Sequence, residues 1–498
     1  MPALHGAGPP GGVPRLVVIG GGFAGLWAVR ALEREPLAIT LVDRANHHLF
    51  QPLLYQVATA GLSAPDIAAP LRHILRGQAN VDVRLAEVTG IDLAARRVTL
   101  VASDGAQGHA AGAAAGADVE ALDYDLLVVA SGAAHAYFGH DDWAVHAPGL
   151  KALDDALTIR RRVLTAFERA EAAAARGDVA ERDAWLHFAV VGGGPTGVEL
   201  AGTLAEIAHH TLKREFRHID PSRARVRLIE AGPAVLASFP PTLQAKARAQ
   251  LERLGVEVST GTPVAGIDAA GYRLGELRHA CRTVLWAAGV AASPLGRQLA
   301  GQGSHGIELD RAGRVKVQPD LTLPGHPEVF VAGDLASLAQ PDGRPVPGVA
   351  PAAKQMGRYV GRRIAALLRA RRQGSPAPAA EPFRYQDYGN LATIGRMAAV
   401  VDLRGLRFSG LLAWWFWLGA HVFFLIGFRN RLLVLLNWAW AYFTYQRHAR
   451  IVHGGAAAGD AGGGSALAPA PAAAAAQSAA SSAEPQQRHA QQHEQQRQ

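Results

Sequence analysis

The chain has 498 residues, which predicts about three domains, and its 49% hydrophobic content is that of a folded protein. Its 50 basic and 42 acidic side chains give a formal net charge of +8 without any basic block, so we predict no nucleic-acid partner. The single cysteine, Cys281, excludes an intrachain disulfide, a four-cysteine iron–sulfur cluster and a redox-active cysteine pair. We expect no metal site, and any electrons that the protein handles should pass through organic cofactors.

The N-terminal segment 1–13 is rich in Pro and Gly and lacks the apolar core of a signal peptide. We predict that it is disordered and that the folded part of the protein stays in the cytoplasm.

A G-x-G-x-x-G fingerprint follows the first apolar run, at 16–19, and consists of Gly20, Gly22 and Gly25. Such glycines permit a tight turn and let the backbone approach a pyrophosphate, which then lies on the N-terminus of the following helix. Asp43 ends the next apolar run, 18 residues after Gly25, where a carboxylate can accept ribose hydroxyls. This segment is predicted to bind a dinucleotide.

A second fingerprint, Gly192, Gly194 and Gly197, also follows an apolar run and precedes a helix. Its acid, Glu230, comes 33 residues after Gly197, and an insertion around 216–223 would explain the longer gap. A carboxylate there would repel a 2′-phosphate, which predicts NADH rather than NADPH. The alternative is that both acids only cap loops.

Two such fingerprints predict an α/β fold with two Rossmann-like domains, which bind two dinucleotides side by side. The chemistry typical of that pair is hydride transfer between a flavin and a nicotinamide. We expect the first domain in 14–135, with a surface loop in the Ala/Gly-rich stretch 102–122, and the second in 136–290. The chain should then return to the first domain over 291–400, which makes that domain discontinuous.

Two strand ends carry further candidates. The last apolar strand of the second half ends at Gly289, which matches the ending of the first half in Gly132. Another apolar strand ends in Gly333 and Asp334, where the carboxylate can hydrogen-bond the ribityl chain of a flavin.

Residues 401–453 differ in character from the rest of the chain. The run 411–428 contains no Asp, Glu, Lys or Arg, and the run 432–446 is rich in Trp, Tyr and Phe. A buried core helix fits poorly with so much tryptophan beside arginine, and a transmembrane hairpin is possible because the first run just reaches spanning length. We favour helices that attach to one leaflet, since the second run is short for a span.

Arginines within and around these runs would favour an anionic lipid surface. They are Arg404, Arg407, Arg429, Arg431, Arg447 and Arg450. The tail 454–498 has no aromatic residue and is predicted to be disordered.

Over about residues 14–450 the chain closely resembles the type II NADH dehydrogenases, which are membrane-bound NADH:quinone oxidoreductases that carry FAD. The matching motifs are the fingerprints at 20–25 and 192–197, N-H-H-L-F-Q-P-L-L-Y-Q at 46–56, V-E-L at 198–200, A-G-D at 332–334, A-P-A-A-K-Q-M-G at 350–357 and the aromatic C-terminal module. The resemblance implies two dinucleotide-binding domains, a C-terminal helical membrane-anchoring module and a homodimer.

The resemblance also implies roles for individual residues. FAD would be bound by Gly20, Gly22, Gly25, Asp43, Gln51, Pro52, Gly333 and Asp334. NADH would be bound by Gly192, Gly194, Gly197, Glu230 and Gly289. Quinone would contact Ala352, Ala353 and Gln355, and the catalytic residues would be Gln355 and Glu199.

Several of these residues have structural alternatives. Glu199 would otherwise only complement a helix N-terminus, and Gln355 would otherwise cap a turn or satisfy a buried carbonyl. We expect Lys354 to be solvated, and we assign no role to His47 or His48.

The implied function is hydride transfer from NADH to FAD and then transfer of two electrons to a lipid quinone, at the cytoplasmic face of the cell membrane. We expect no proton pumping, because no chain of ionisable residues crosses the C-terminal helices. Disulfide reductases and sulfide:quinone oxidoreductases are excluded because their chemistry needs cysteines. The alternatives are a soluble-acceptor reductase of the ferredoxin or rubredoxin type and a non-catalytic NADH-binding flavoprotein at the membrane.

Overall fold

The computed structural model describes residues 12–103, 119–302, 306–425, 428–444 and 446–452. Three predictions lie wholly or mostly outside these residues: disorder in 1–13, disorder in 454–498, and the loop in 102–122. The described end of that last stretch is a strand, which pairs with the strand before the loop.

The first part of the chain contains strands β1 (Arg15–Ile19), β2 (Ala38–Asp43), β3 (His47–Leu49), β4 (Ala68–Pro70), β5 (Val81–Asp92), β6 (Arg97–Ala102), β7 (Val119–Asp123), β8 (Leu126–Val129) and β9 (Ala133–His135), and helices α1 (Phe23–Ala31), α2 (Leu54–Ala58), α3 (Ala64–Ile67) and α4 (Leu71–Leu75). A 3₁₀ turn over Gln51–Leu53 precedes α2.

The second part contains helices α5 (Leu153–Ala175), α6 (Val179–Trp185), α7 (Pro195–Glu206) and α8 (Pro241–Arg253), and strands β10 (His187–Val191), β11 (Arg225–Glu230), β12 (Val256–Thr260), β13 (Val264–Asp268), β14 (Gly271–Leu274), β15 (Leu277–Ala280) and β16 (Thr283–Trp286). Short 3₁₀ turns cover Asp141–Val145 and Pro221–Arg223, and a π-helical turn, Ile207–Thr211, continues α7.

The remaining described elements are β17 (Val290–Ala292), α9 (Leu295–Gly301), β18 (Val315–Lys316), β19 (Thr322–Leu323), β20 (His326–Val331), β21 (Ala336–Ser337), α10 (Ala350–Arg372), β22 (Asn390–Thr393), β23 (Ala399–Leu403), β24 (Leu406–Ser409), α11 (Leu411–Phe424) and α12 (Phe428–Thr444). A 3₁₀ turn, Gly333–Leu335, follows β20.

The larger sheet has the strand order β19-β20-β8-β1-β2-β5-β6-β7. Its central strands run parallel, and Val18 of β1 lies opposite Leu41 of β2 and Val128 of β8. These strands are apolar along their length because helices and loops bury both faces of a parallel sheet. Since β20 joins this sheet from late in the chain, the first domain is built from two separate segments.

The second sheet, β12-β11-β10-β16, is also parallel, and the antiparallel sheet β13-β14-β15 accompanies it. The chain passes from the first domain to the second through β9 and returns through β17. These two strands pair with each other, with His135 opposite Val290. The two predicted Rossmann-like domains are therefore joined by a two-stranded ribbon.

The C-terminal module begins earlier than predicted, because the boundary at residue 401 falls inside β23 of the sheet β22-β23-β24. Its two helices pack on the second domain, and Ala413, Trp417 and Val434 are buried in the same apolar core as Phe188 and Leu200. The predicted apolar run 411–428 forms a helix that ends at Phe424. Within the described ranges, the structure contains no helix with the length and apolar character needed to cross a bilayer.

Candidate active site

The first fingerprint forms a turn that only glycine fits at two positions. Gly20 has a φ of +102°, and a Cβ there would lie 2.4 Å from the carbonyl oxygen of Ala130. A Cβ on Gly25 would lie 1.8 Å from the carbonyl oxygen of Gly20, so α1 packs directly on the turn. A Cβ on Gly22, by contrast, would have no atom within 4 Å. The N-terminus of α1 therefore faces open space, as a pyrophosphate site requires.

Asp43 connects the end of β2 to this turn. Its carboxylate accepts a hydrogen bond from the backbone N–H of Gly21 at 2.5 Å and another from Ala45 at 2.7 Å. Burial raises the pKa of Asp43, and the two backbone hydrogen bonds oppose that shift. The predicted ribose-binding carboxylate thus lies directly beside the fingerprint.

Three side chains from distant parts of the chain meet beyond α1. The side-chain amide of Gln51 donates to the carbonyl oxygen of Lys151 at 3.1 Å. The ammonium of Lys151 lies 3.8 Å from the carboxylate of Asp334, which follows β20. Pro52 continues the turn begun by Gln51, and Gly333 has a φ of +76°. Gln51 and Asp334, which were predicted from separate motifs, therefore lie at the same site. Lys151, which contacts both, was not predicted.

Two buried polar atoms at this site have no hydrogen-bond partner among the described residues: the hydroxyl of Ser131 and Nε2 of His48. Nδ1 of His48 donates to the carbonyl oxygen of Gly21 at 3.0 Å, so the imidazole supports the fingerprint turn. Unsatisfied buried polar atoms call for a partner. With the open helix N-terminus, Asp43 and Asp334, they fit the pyrophosphate, ribose and ribityl groups of FAD.

Helix α10 packs closely against α1, and its small residues explain how. A Cβ on Gly357 would lie 2.1 Å from the carbonyl oxygen of Ala24, and one on Gly361 would lie 2.6 Å from Cβ of Ala31. Ala352 and Ala353, predicted to contact quinone, are both buried. Packing between these helices therefore explains why the 350–357 motif has small residues at Ala352, Ala353 and Gly357.

Gln355 of the same motif is half-buried, and its side-chain amide forms two hydrogen bonds with the backbone of Gln386. Its Nε2 donates to the carbonyl oxygen of Gln386 at 2.9 Å, and the backbone N–H of Gln386 donates to its Oε1 at 2.9 Å. The side chain thus holds the segment after α10 against the helix, and the carbonyl that it satisfies is exposed rather than buried, as the structural alternative had it. Lys354, which we expected to be solvated, is half-buried, and its ammonium lies 4.3 Å from the ring centroid of Trp27 and 5.1 Å from that of Phe424.

The second fingerprint repeats the geometry of the first. Gly192 has a φ of +110°, and a Cβ there would lie 2.6 Å from the backbone of Ala287. A Cβ on Gly197 would lie 1.8 Å from the carbonyl oxygen of Gly192, whereas one on Gly194 would meet no atom within 4 Å. The ring of Phe138 lies over Gly289, 2.3 Å from where its Cβ would be.

Glu230 occupies the position in the second domain that Asp43 has in the first. Its carboxylate accepts hydrogen bonds of 2.6 Å from the backbone N–H groups of Gly193 and Gly232. The additional residues before Glu230 lie in the π-helical turn Ile207–Thr211 and in 212–224. The extension thus begins before the stretch 216–223 that the spacing indicated.

Glu199 is buried on α7, and the backbone N–H of Thr393 donates to its Oε1 at 3.5 Å. Burial raises the pKa of Glu199 well above its ordinary value. The first turn of α7 contains no acidic residue, so the alternative that Glu199 only complements the helix N-terminus is wrong. A buried carboxyl of this kind holds a proton more readily than an exposed glutamate does.

Comparison with known proteins agrees with this geometry. Residues 14–357 match the family described as Pyridine nucleotide-disulphide oxidoreductase, and residues 388–447 match the NDH2 C-terminal domain. Two proteins of Mycobacterium tuberculosis are similar over most of their length. The type II NADH:quinone oxidoreductase Ndh is 45% identical over 87% of this chain and 89% of its own, and NdhA is 47% identical over 86% and 87%.

The chain belongs to the type II NADH:quinone oxidoreductases.

The fold of this oxidoreductase agrees with that of a solved relative. The structure of NDH2 from Plasmodium falciparum in complex with NADH matches it with a TM-score of 0.75 at 19% identity, over 88% of this chain and 99% of that one. Membership of the family confirms the predicted α/β architecture with FAD as cofactor and NADH as substrate. It also sets aside the soluble-acceptor reductase and the non-catalytic flavoprotein.

In this NADH:quinone oxidoreductase, a chain of side-chain hydrogen bonds connects α12 to Tyr55 on α2. The sequence did not predict it. Nε1 of Trp438 donates to Oε1 of Gln56 at 2.7 Å, and Nε2 of Gln56 donates to the Tyr55 hydroxyl at 2.9 Å. Burial raises the pKa of Tyr55 far above its ordinary value. Only the position of Tyr55 and Gln56 at the end of the matched 46–56 motif hinted at this arrangement.

A cavity of about 100 Å³ adjoins the network, between α7 and the C-terminal helices. Its lining combines aromatic rings with charged groups and includes Tyr55, Glu206, Trp417, Trp438 and Arg447. On the same helix as Trp417, Nδ1 of His421 donates to the carbonyl oxygen of Trp417 at 2.8 Å. Burial lowers the pKa of His421 to about 4, so this imidazole is neutral at pH 7.

Proposed function

We propose that this NADH:quinone oxidoreductase works at one leaflet of a membrane, where α11 and α12 bring its flavin site to a lipid-soluble quinone, and that it moves electrons without pumping protons. When bound, FAD accepts a hydride from NADH and delivers two electrons to quinone. The observation that carries the proposal is the pair of glycine turns, each bonded through a backbone N–H to the carboxylate that ends the following strand.

The two halves of the molecule have different tasks in this proposal. Gly20, Gly22 and Gly25 with Asp43 hold the adenosine end of FAD, and Gln51, Pro52, Gly333 and Asp334 hold its other end. Gly192, Gly194, Gly197 and Gly289 with Glu230 bind NADH. By holding both dinucleotides, these residues would bring the flavin and nicotinamide rings together, and such positioning supplies much of the rate enhancement of a two-substrate reaction.

Quinone reduction also needs protons, and we assign their supply to Glu199. Its carboxyl is buried and holds a proton more readily than an exposed glutamate does, because burial has raised its pKa. Gln355, next to the buried Ala352 and Ala353 on α10, is assigned to the quinone side, where it positions the segment around Gln386.

Attachment to a membrane is supported by the apolar surface of the C-terminal helices. The described part of these helices exposes Leu411, Leu412, Trp415, Phe416, Phe423, Phe424, Leu432, Leu435, Leu436, Trp440 and Phe443. The exposed fraction reaches 70% for Leu412 and Phe423 and 80% for Phe443. So many exposed apolar side chains on two neighbouring helices indicate a protein or membrane contact, and the tryptophans are typical of a membrane interface.

Surface substitutions test the attachment better than deletion from residue 404, because α11 and α12 also bury Trp417 and Val434 in the core. In the variant Leu412→Ser, Phe423→Ser, Phe443→Ser we expect flotation with phosphatidylcholine vesicles to weaken on the order of a hundredfold. Oxidation of NADH by a membrane-embedded long-chain quinone should fall with it, while oxidation by a short-chain quinone should stay within about twofold.

The matched control removes three exposed apolar side chains elsewhere: Val119→Ser, Val179→Ser, Leu277→Ser. It should float like the wild type. Equal flotation of the two triple variants would refute attachment through α11 and α12.

The homodimer and the cytoplasmic orientation remain predictions from the resemblance and from the N-terminal sequence. Light scattering of the purified enzyme measures the first. NADH oxidation by inside-out but not by right-side-out membrane vesicles would support the second.

A further inference from the structure

Three cationic side chains converge on one aromatic ring at the surface between α1 and α10. The guanidinium of Arg358 and the ammonium of Lys354 each lie 4.3 Å from the ring centroid of Trp27, and the guanidinium of Arg30 lies 5.1 Å from it. We call Trp27, Arg30, Lys354 and Arg358 the Trp27 cluster. Within the described part of the chain, none of the three cations has a carboxylate within 4 Å as an ion-pair partner.

The cluster lies at the edge of the apolar surface just described. The ammonium of Lys354 is 5.1 Å from the ring centroid of Phe424, near the C-terminus of α11. Phe424 is itself exposed, and its ring contacts that of the still more exposed Phe423. At a bilayer surface, positive charges of this kind can contact the lipid phosphates, while the exposed aromatic rings beside them enter the interfacial region.

The cations also repel each other in the absence of an anion. Burial, and then the charges of Arg358 and Arg30, lower the pKa of Lys354. A phosphate among them would relieve this repulsion.

The arginines that the sequence pointed to for this role are engaged elsewhere. Arg447, Arg450 and Arg407 form ion pairs with Glu206 (3.2 Å), Glu215 (2.6 Å) and Asp402 (3.4 Å). Arg404 and Arg431 donate to backbone carbonyl groups. The side chain of Arg429 lies outside the described residues.

We infer that the Trp27 cluster binds the phosphate of an anionic phospholipid headgroup while Phe423 and Phe424 enter the leaflet. The inference rests on the proposed attachment of α11 and α12 to a membrane. It adds a lipid preference that arises from α1 and α10 rather than from the C-terminal arginines.

The test compares flotation of the full-length holoenzyme with two kinds of vesicle, phosphatidylcholine alone and phosphatidylcholine with about 30% phosphatidylglycerol, at one low ionic strength. The wild type should bind the anionic vesicles more tightly. In Arg30→Gln, Lys354→Gln, Arg358→Gln, binding to the anionic vesicles should weaken on the order of a hundredfold, whereas binding to neutral vesicles should not change. The charge-preserving variant Arg30→Lys, Lys354→Arg, Arg358→Lys should bind like the wild type.

The matched control, Arg297→Gln, Arg371→Gln, Arg372→Gln, removes the same number of charges from exposed positions away from Trp27. Equal losses in the two neutralised variants would mean a net-charge effect and would overturn the inference, as would an unchanged Trp27-cluster variant. A wild type that binds neither vesicle would instead refute membrane attachment itself, so the two failures are distinguishable.

Discussion

The carboxylate of Glu206 lies 3.2 Å from the guanidinium of Arg447, and both side chains are largely buried. Glu206 ends α7 of the second domain, whereas Arg447 follows α12. Arg447 also donates to the carbonyl oxygen of Thr59 at 3.2 Å, and Glu206 accepts from the backbone N–H of Arg396. This ion pair therefore fastens the C-terminal helices to two other parts of the molecule.

Removing either partner of that ion pair should destabilise the folded protein. We expect Glu206→Gln and Arg447→Met each to lower the free energy of unfolding by about 3–5 kcal/mol, because each leaves a buried charge without its partner. The double variant should lose clearly less than the sum of the two. A double-mutant cycle by urea unfolding measures this.

The exposed pair Arg248 and Glu252, 2.8 Å apart on α8, is the control. Its coupling should be about 0.3–0.5 kcal/mol. Similar coupling in the two cycles would contradict the structural role of the buried pair.

Glu199 should make stability depend on pH in a definite direction. Its pKa is raised in the folded protein, so between the ordinary glutamate pKa and the raised value the folded state binds a proton that the unfolded state has released. Stability should therefore fall as the pH rises through this window, by about 1.4 kcal/mol per pH unit for this group. The variant Glu199→Gln lacks the titrating group and should lack this contribution.

Thermal unfolding of both proteins at pH 5 and pH 8 provides the measurement. The melting temperature of Glu199→Gln relative to the wild type should rise between the two values. A difference that does not change with pH would show that the carboxyl is ionised in the folded enzyme, and a proton-supplying role would then fail.

Gln355→Leu should impair the quinone half-reaction more than the reduction of flavin by NADH. The substitution removes both hydrogen bonds to the backbone of Gln386, each of which contributes about 0.5–1.5 kcal/mol. Stopped-flow measurements of the two half-reactions should show a loss of about tenfold or more on the quinone side only.

Gln386→Ala is the control for this variant, since Gln355 pairs with the backbone of Gln386 and not with its side chain. It should be close to wild type in both half-reactions. Equal losses of the two half-reactions in Gln355→Leu would refute a quinone-side role.

Glu230→Gln should narrow the preference for NADH over NADPH. The carboxylate, held by the N–H groups of Gly193 and Gly232, repels a 2′-phosphate, whereas an amide does not. The ratio of kcat/KM for the two substrates should change by about tenfold. Asp43→Asn, the equivalent change in the FAD domain, should loosen FAD and leave that ratio alone, and an unchanged ratio in Glu230→Gln would contradict the assignment.

The local features of this protein could be predicted from sequence because each depends on residues close together in the chain. The turn around Gly20 needs a positive φ and direct contact with α1. The glycines of a six-residue motif meet both requirements. The convergence of Gln51, Lys151 and Asp334 could not be predicted in the same way, since three loops meet there only after the sheet has formed. The ring contacts of Lys354 could not be predicted for a similar reason, because Trp27 and Phe424 come from other helices.

The sequence by itself determined that the chain binds two dinucleotides, that it has no cysteine pair for its electrons, and that its C-terminal helices are apolar and aromatic, because composition and short-range spacing carry that information. Only the tertiary structure decided which charges remain available and which are neutralised. The pKa of Glu199 is raised because the fold removes water from its carboxyl, and Arg447 is engaged because the fold places Glu206 beside it. Solvation and pairing are properties of the surroundings of a side chain, and distant segments supply those surroundings.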